Sequence, residues 1–144
     1  MTIFIEMTQE FVKTALKRAN FAILNEDQND RVEVLQIQTS QGNAHKIFVQ
    51  EIDLDNQRSV KIQKTDLGEL NSNLWIALVL LMKGLEPTLY LIPSTEFLEP
   101  DNFIFIENNQ NPRLAHFSNY EIKVFKNGMP KLNEYRFENM IDKL

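Results

Sequence analysis

The sequence predicts an α+β domain built on a central mixed β-sheet, with an antiparallel meander and flanking helices. Three observations carry that prediction. Phe11, Val12, Ala15, Leu16 and Ala19 recur at helical spacing near the N-terminus. Short segments rich in β-branched and apolar residues then alternate with turn residues. Finally, Leu74 to Leu81 is the most hydrophobic run of the chain and is buried whatever its backbone state. At 144 residues and 43% hydrophobic, the chain is large enough for one real core. No linker, internal repeat or low-complexity stretch divides it, so residues 1–144 read as a single domain.

Taken in order, Thr8 is placed to cap a helix over Gln9 to Asn20. Phe21 to Leu24 is a short apolar strand, and Asn25 to Asp30 is polar and turn-like. Val32 to Thr39 reads as a strand. Ser40-Gln41-Gly42-Asn43 suits a hairpin turn, because Gly and Asn tolerate positive φ. Ile47 to Asp53 is the returning strand. After the turn Asp55-Asn56-Gln57, Ser59 to Gln63 is a third strand of the same meander. Asp66 to Asn73 is a loop or short helix. Trp75 to Met82 and Thr88 to Ile92 read as a hairpin of central strands, with a core helix as the competing assignment for the first. Ser94 to Leu98 has a cap-like start and suits a helical turn. Phe103 to Ile106 suits a strand, and Ser118 to Phe125 mixes strand and helix signals. Leu132 to Leu144 reads as a C-terminal helix.

Composition narrows the function classes. There is no cysteine, which removes disulfides, thiolate chemistry and cysteine-ligated zinc. The longest apolar run falls short of the ~20 residues a membrane helix needs. The N-terminus lacks a basic region and a small-residue cleavage site, so the expectation is a soluble, cytoplasmic protein without a membrane partner. The net charge of −5 makes nonspecific DNA binding a poor fit. Lys13, Lys17 and Arg18 cluster on the first helix, with Lys61 and Lys64 elsewhere, and read as a solvated face. Gly42, Gly68, Gly84 and Gly128 are isolated turn glycines rather than a phosphate loop. His45 and His116 are lone histidines without metal-ligand spacing, and Trp75 belongs to the core.

Two passages carry a resemblance. One is Asp30-Arg31-Val32-Glu33-Val34 followed by Phe48-Val49-Gln50-Glu51-Ile52. The other is Leu74-Trp75-Ile76-Ala77-Leu78-Val79 followed by Thr88-Leu89-Tyr90-Leu91-Ile92-Pro93-Ser94, with Ser118-Asn119-Tyr120-Glu121-Ile122 further on. In this order the chain resembles small bacterial nuclease-like domains of the PD-(D/E)XK superfamily, often catalogued as domains of unknown function. The resemblance implies a restriction-endonuclease-like fold. In such a site an Asp and a Glu or Gln bind Mg²⁺ through hard oxygens. The metal lowers the pKa of a water and stabilises charge on the phosphate. A lysine two residues beyond the Glu or Gln, on the same strand face, helps orient or deprotonate that water.

Carried onto this chain, the resemblance puts Asp30 at the acidic position and Gln50 at the Glu/Gln position, both as metal ligands. Ile52 stands where the lysine belongs, and an isoleucine neither holds charge nor handles a proton. The implied reading is a degenerate nuclease-like domain without hydrolytic activity and without a cofactor, acting as a binding or regulatory module for a protein or a nucleic acid. Two alternatives stay open. One is an active Mg²⁺-dependent DNA endonuclease, with a lysine supplied by Lys61 or a shifted register that pairs Glu51 with Asp53. The other is an unrelated α+β interaction protein of the immunity or dimerisation type. Read from the residues alone, Asp30 is a turn residue ahead of a strand, Gln50 is a polar residue on a half-exposed strand, and Glu51 and Asp53 face water.

Overall fold

Leu74–Leu81 forms a strand buried at every position, because both of its faces and both of its edges are covered. The computed structural model describes residues 2–28, 33–109 and 111–144. Helix α1 spans Thr2–Arg18, followed by strands β1 (Ala22–Gln28), β2 (Glu33–Gln38), β3 (Ala44–Asp53) and β4 (Ser59–Gln63). Helix α2 (Lys64–Leu67) leads to β5 (Leu74–Leu81) and β6 (Thr88–Pro93). Strands β7 (Phe105–Asn108) and β8 (Asn119–Lys123) precede the short helices α3 (Met129–Leu132) and α4 (Phe137–Met140).

A five-stranded mixed sheet has the order β1-β2-β3-β5-β6, and a three-stranded antiparallel sheet has the order β4-β8-β7. The expected α+β class and central mixed sheet are therefore present, together with a second sheet. The meander is β1-β2-β3 and does not extend to β4. The reason is that β5 runs parallel to β3, from Lys46↔Leu74 to Asp53↔Leu81, and takes its free edge. Parallel neighbours need a long crossover, and residues 54–73 are that crossover, carrying β4 away to pair with β8. The β2–β3 turn closes as expected, with Thr39 N–H on Asn43 O at 2.8 Å and Gly42 at φ 90.

Several boundaries differ from the sequence reading. Thr8 lies inside α1 and is buried, so it caps nothing. The helix ends where Asn20 turns to φ 69 and the Phe21 N–H bonds back to Leu16 O at 3.1 Å. Strand β1 continues through Asn25 to Gln28, residues read as part of a turn, because an edge strand can leave one side in water; the rest of that turn lies outside the described residues. The C-terminal segment is a series of short helical turns rather than one helix. Pro130 sits in the first turn of α3, and Arg136 adopts an extended ψ of 145 and bridges to Tyr90, which breaks the helical path.

Helix α1 lies on one face of the large sheet, where Val12 and Leu16 join Leu35, Ile37, Ile47 and Val79 in the core. The other face is covered from Phe48 onward by the second sheet and the C-terminal turns. There Phe97 stacks against Phe105 and Tyr120 at centroid distances of 5.3 and 4.7 Å, and Tyr135 packs on Phe105 at 5.4 Å. Among the described residues no helix is long and apolar enough to cross a membrane.

Candidate functional site

Strand β3 sends successive side chains to opposite faces of the sheet. Phe48, Gln50 and Ile52 point away from α1, and Ile47, Val49, Glu51 and Asp53 point toward it. Gln50 is half-buried, and its amide donates to the neighbouring Val49 carbonyl at 3.0 Å. Ile52, beside Leu80 of β5, has no exposed surface. Lys61 sits on the other sheet, exposed, while its neighbour Ile62 is buried. It pairs across the ladder with Glu121. Burial pushes the Glu121 carboxyl up, but hydrogen bonds from Asn108 and Ser59 and the charges of Lys61 and Lys123 outweigh it and hold it below the usual range. Gln50 and Lys61 thus belong to different sheets, and Lys61 turns to solvent. Asp30 lies outside the described residues. Asp53 shapes the turn after β3, accepting from Asp55 N–H at 3.1 Å and from the Asn56 amide at 2.6 Å.

The structure gathers a different set of ionisable groups under α1. On β2, Glu33 shares a face with Leu35 and Ile37 and is only 3% exposed. Neither of its carboxyl oxygens has a hydrogen-bond partner. Above it, Lys13 of α1 pairs with Glu26 of β1 at 2.5 Å and, more loosely, with Glu10 at 3.8 Å. Burial pushes the Glu33 carboxyl up; Lys13 pulls it down, and Glu26 and Glu10 add to the rise. Lys13 is itself raised, chiefly by its hydrogen bond to Glu26. Further along the same face, Glu51 is half-buried rather than facing water. Burial pushes it up, the Thr8 hydroxyl works against that, and Asp53 adds to the rise.

A desolvated carboxyl without partners favours its neutral form, and a nearby lysine held by other carboxylates moderates that preference. Among the described residues, no three His, Asp or Glu side chains are grouped to hold a metal ion. The set was overlooked in the sequence, yet the period-two signal was there. Glu33, Leu35 and Ile37 fall on one face, as do Ile47, Val49 and Glu51, so the two glutamates follow the apolar residues inward.

Lys13→Met is expected to lower stability by about 0.5–1 kcal/mol at pH 6, the scale of a partly exposed ion pair. The loss should grow as pH rises, because an ionised Glu33 then lacks its nearest cation. Urea unfolding of wild type and variant at pH 6 and pH 9 measures both effects, and a pH-independent difference would contradict the coupling of Lys13 to Glu33.

Comparison of the chain with protein-family models, with curated proteins and with solved structures returns no match.

Proposed function

We propose that this chain is a nuclease-like domain of the PD-(D/E)XK type whose hydrolytic site is degenerate, and that it works as a binding or regulatory module. The observation that carries the reading is the burial of Ile52, which has no exposed surface at the position where the resemblance calls for a lysine. A lysine there would have to place an ammonium beside Leu80 in a layer where Phe48, Ile62 and Leu78 are fully or almost fully buried. Further support comes from the order of a helix, a three-stranded meander and a strand parallel to the third. Lys61 supplies no substitute in this arrangement, because it is exposed on the second sheet beside Glu121. The net charge of −5 suits a protein partner better than a phosphate backbone.

A calorimetric Mn²⁺ titration of the wild type and of Asp30→Ala, paired with DNA-cleavage assays in Mg²⁺ and Mn²⁺, tests the reading. The expected outcome is no saturable metal binding and no cutting by either protein. Saturable binding and cutting by the wild type, both lost in Asp30→Ala, would make the domain an active nuclease instead.

A further inference from the structure

The face of the large sheet that points away from α1 is uncovered at one end, before the second sheet begins. Gln36 on β2 is half-buried there, and Lys46 on β3 is exposed. The segment following α2 rises beside them as a wall, enclosing a groove of about 490 Å³. That volume lies within the range of small-ligand sites. Leu67 and Leu74, both buried, supply apolar lining.

The wall is held in shape by its own hydrogen bonds. The Asn71 N–H donates to Ser94 Oγ at 3.2 Å, and the fully buried Ser94 hydroxyl donates back to Asn71 O at 3.0 Å. Asn73 N–H donates to Asn71 Oδ1 at 2.8 Å, and Lys46 N–H to Asn73 O at 2.8 Å. These bonds fix the backbone, engage the Asn71 side chain and leave four other polar side chains of the groove unengaged. Among the described residues, the Gln36 amide, the Lys46 ammonium, the Glu69 carboxylate and the Asn73 amide have no hydrogen-bond or ion-pair partner. Lys46 and Glu69 therefore line one groove with opposite charges and do not pair with each other. In the same lining, His45 is 8% exposed; its Nδ1 accepts from the Trp75 indole N–H at 3.2 Å, and its Nε2 has no partner.

We infer that this groove binds a short peptide with free termini and an apolar side chain. A free carboxylate answers Lys46 and a free ammonium answers Glu69. The Gln36 and Asn73 carboxamides each carry a donor and an acceptor, as peptide groups between the termini require. Leu67 and Leu74 take the apolar side chain. An extended tripeptide spans roughly 10 Å. The inference goes beyond the nuclease-like reading and does not rest on it, since neither Gln50 nor Lys61 lines the groove.

The test is an amide-resolved NMR titration of the full chain with the tripeptide Ala-Leu-Ala and with its N-acetylated and C-amidated forms. Saturable shifts are expected at the amides of Lys46, Gly68, Glu69 and Asn73. Blocking either terminus should weaken binding by about tenfold, as should Lys46→Met or Glu69→Gln, each equivalent to about 1.4 kcal/mol. Both substituted side chains are exposed, so unchanged spectra elsewhere will show that the variants fold. No saturation at these amides up to about 10 mM peptide, a limit that corresponds to binding weaker than about 3 kcal/mol, would overturn the inference. So would binding that is indifferent to blocked termini and to both substitutions.

Discussion

Ile52→Lys is expected to destabilise the protein by about 3–5 kcal/mol and to confer no Mg²⁺-dependent DNA cleavage. Ile52 has no exposed surface and pairs with Leu80 in the parallel ladder at the centre of the large sheet. Its side chain points into the layer between the two sheets, where Phe48, Ile62 and Leu78 are also fully or almost fully buried. An ammonium in that layer either stays charged without a partner or gives up its proton, and both outcomes disfavour folding. Ile52→Met separates charge from shape: a volume-conserving apolar exchange should cost less than about 1.5 kcal/mol. Urea unfolding at pH 7 gives both differences. A lysine variant with a wild-type midpoint that also cuts DNA would show that the position is an ordinary catalytic one with its lysine missing. The account of the core would then fail, while the reading of a nuclease site that has lost its lysine would be strengthened.

The fold was legible wherever a local pattern agreed with its surroundings. Leu74–Leu81 carries no alternation, and an apolar strand without alternation is one covered on both faces, as β5 is. Ser59–Gln63 was legible as a strand, but its partner was not. Whether β4 joins β3 or crosses to β8 depends on which strand takes the second edge of β3. That choice is made by β5, more than ten residues downstream. The C-terminal turns misled because Tyr135, Phe137, Met140 and Ile141 keep a helix-like spacing while the extended backbone at Arg136 interrupts the helix. Register on β3 was legible as well: alternation alone places Gln50 and Ile52 together and Glu51 with Asp53. What alternation does not reveal is which face α1 covers, and that decides whether Glu51 meets water. Alternation puts Glu33 with Leu35 and Ile37 and Glu51 with Ile47 and Val49, and the packing of α1 on that face is what buries both glutamates.

Glu33→Gln is expected to stabilise the protein at neutral and alkaline pH and to leave it nearly unchanged at pH 4. In the folded chain both oxygens of Glu33 are buried without partners, and its carboxyl is pushed up, first by desolvation and then by Glu26 and Glu10 against the pull of Lys13. A group whose folded pKa lies above its unfolded value binds its proton more tightly in the native state. Its full stabilising contribution is therefore present below the unfolded carboxylate range. It is lost as pH rises from that range through the raised folded value. Glutamine holds nearly the same shape and cannot ionise, so this pH-dependent loss vanishes in the variant. The gain above that window is the cost of ionising Glu33 in the folded chain, since the glutamine amide is buried without partners as the neutral carboxyl is. Chemical denaturation of the two proteins between pH 4 and pH 9 gives the difference curve, and side-chain carboxyl NMR gives the titration of Glu33 directly. Curves that run parallel across the whole range would mean that Glu33 titrates alike in the folded and unfolded chain, and that its burial beneath α1 does not perturb it. If instead the curves converge at low pH and the Lys13→Met chain shows a steeper loss than wild type, then Glu33 and Lys13 act as one unit. The pairing of α1 with the β1–β2 edge would then respond to pH through that unit, while the groove at Lys46 and Glu69 keeps its shape through Ser94 and Asn71, which do not titrate.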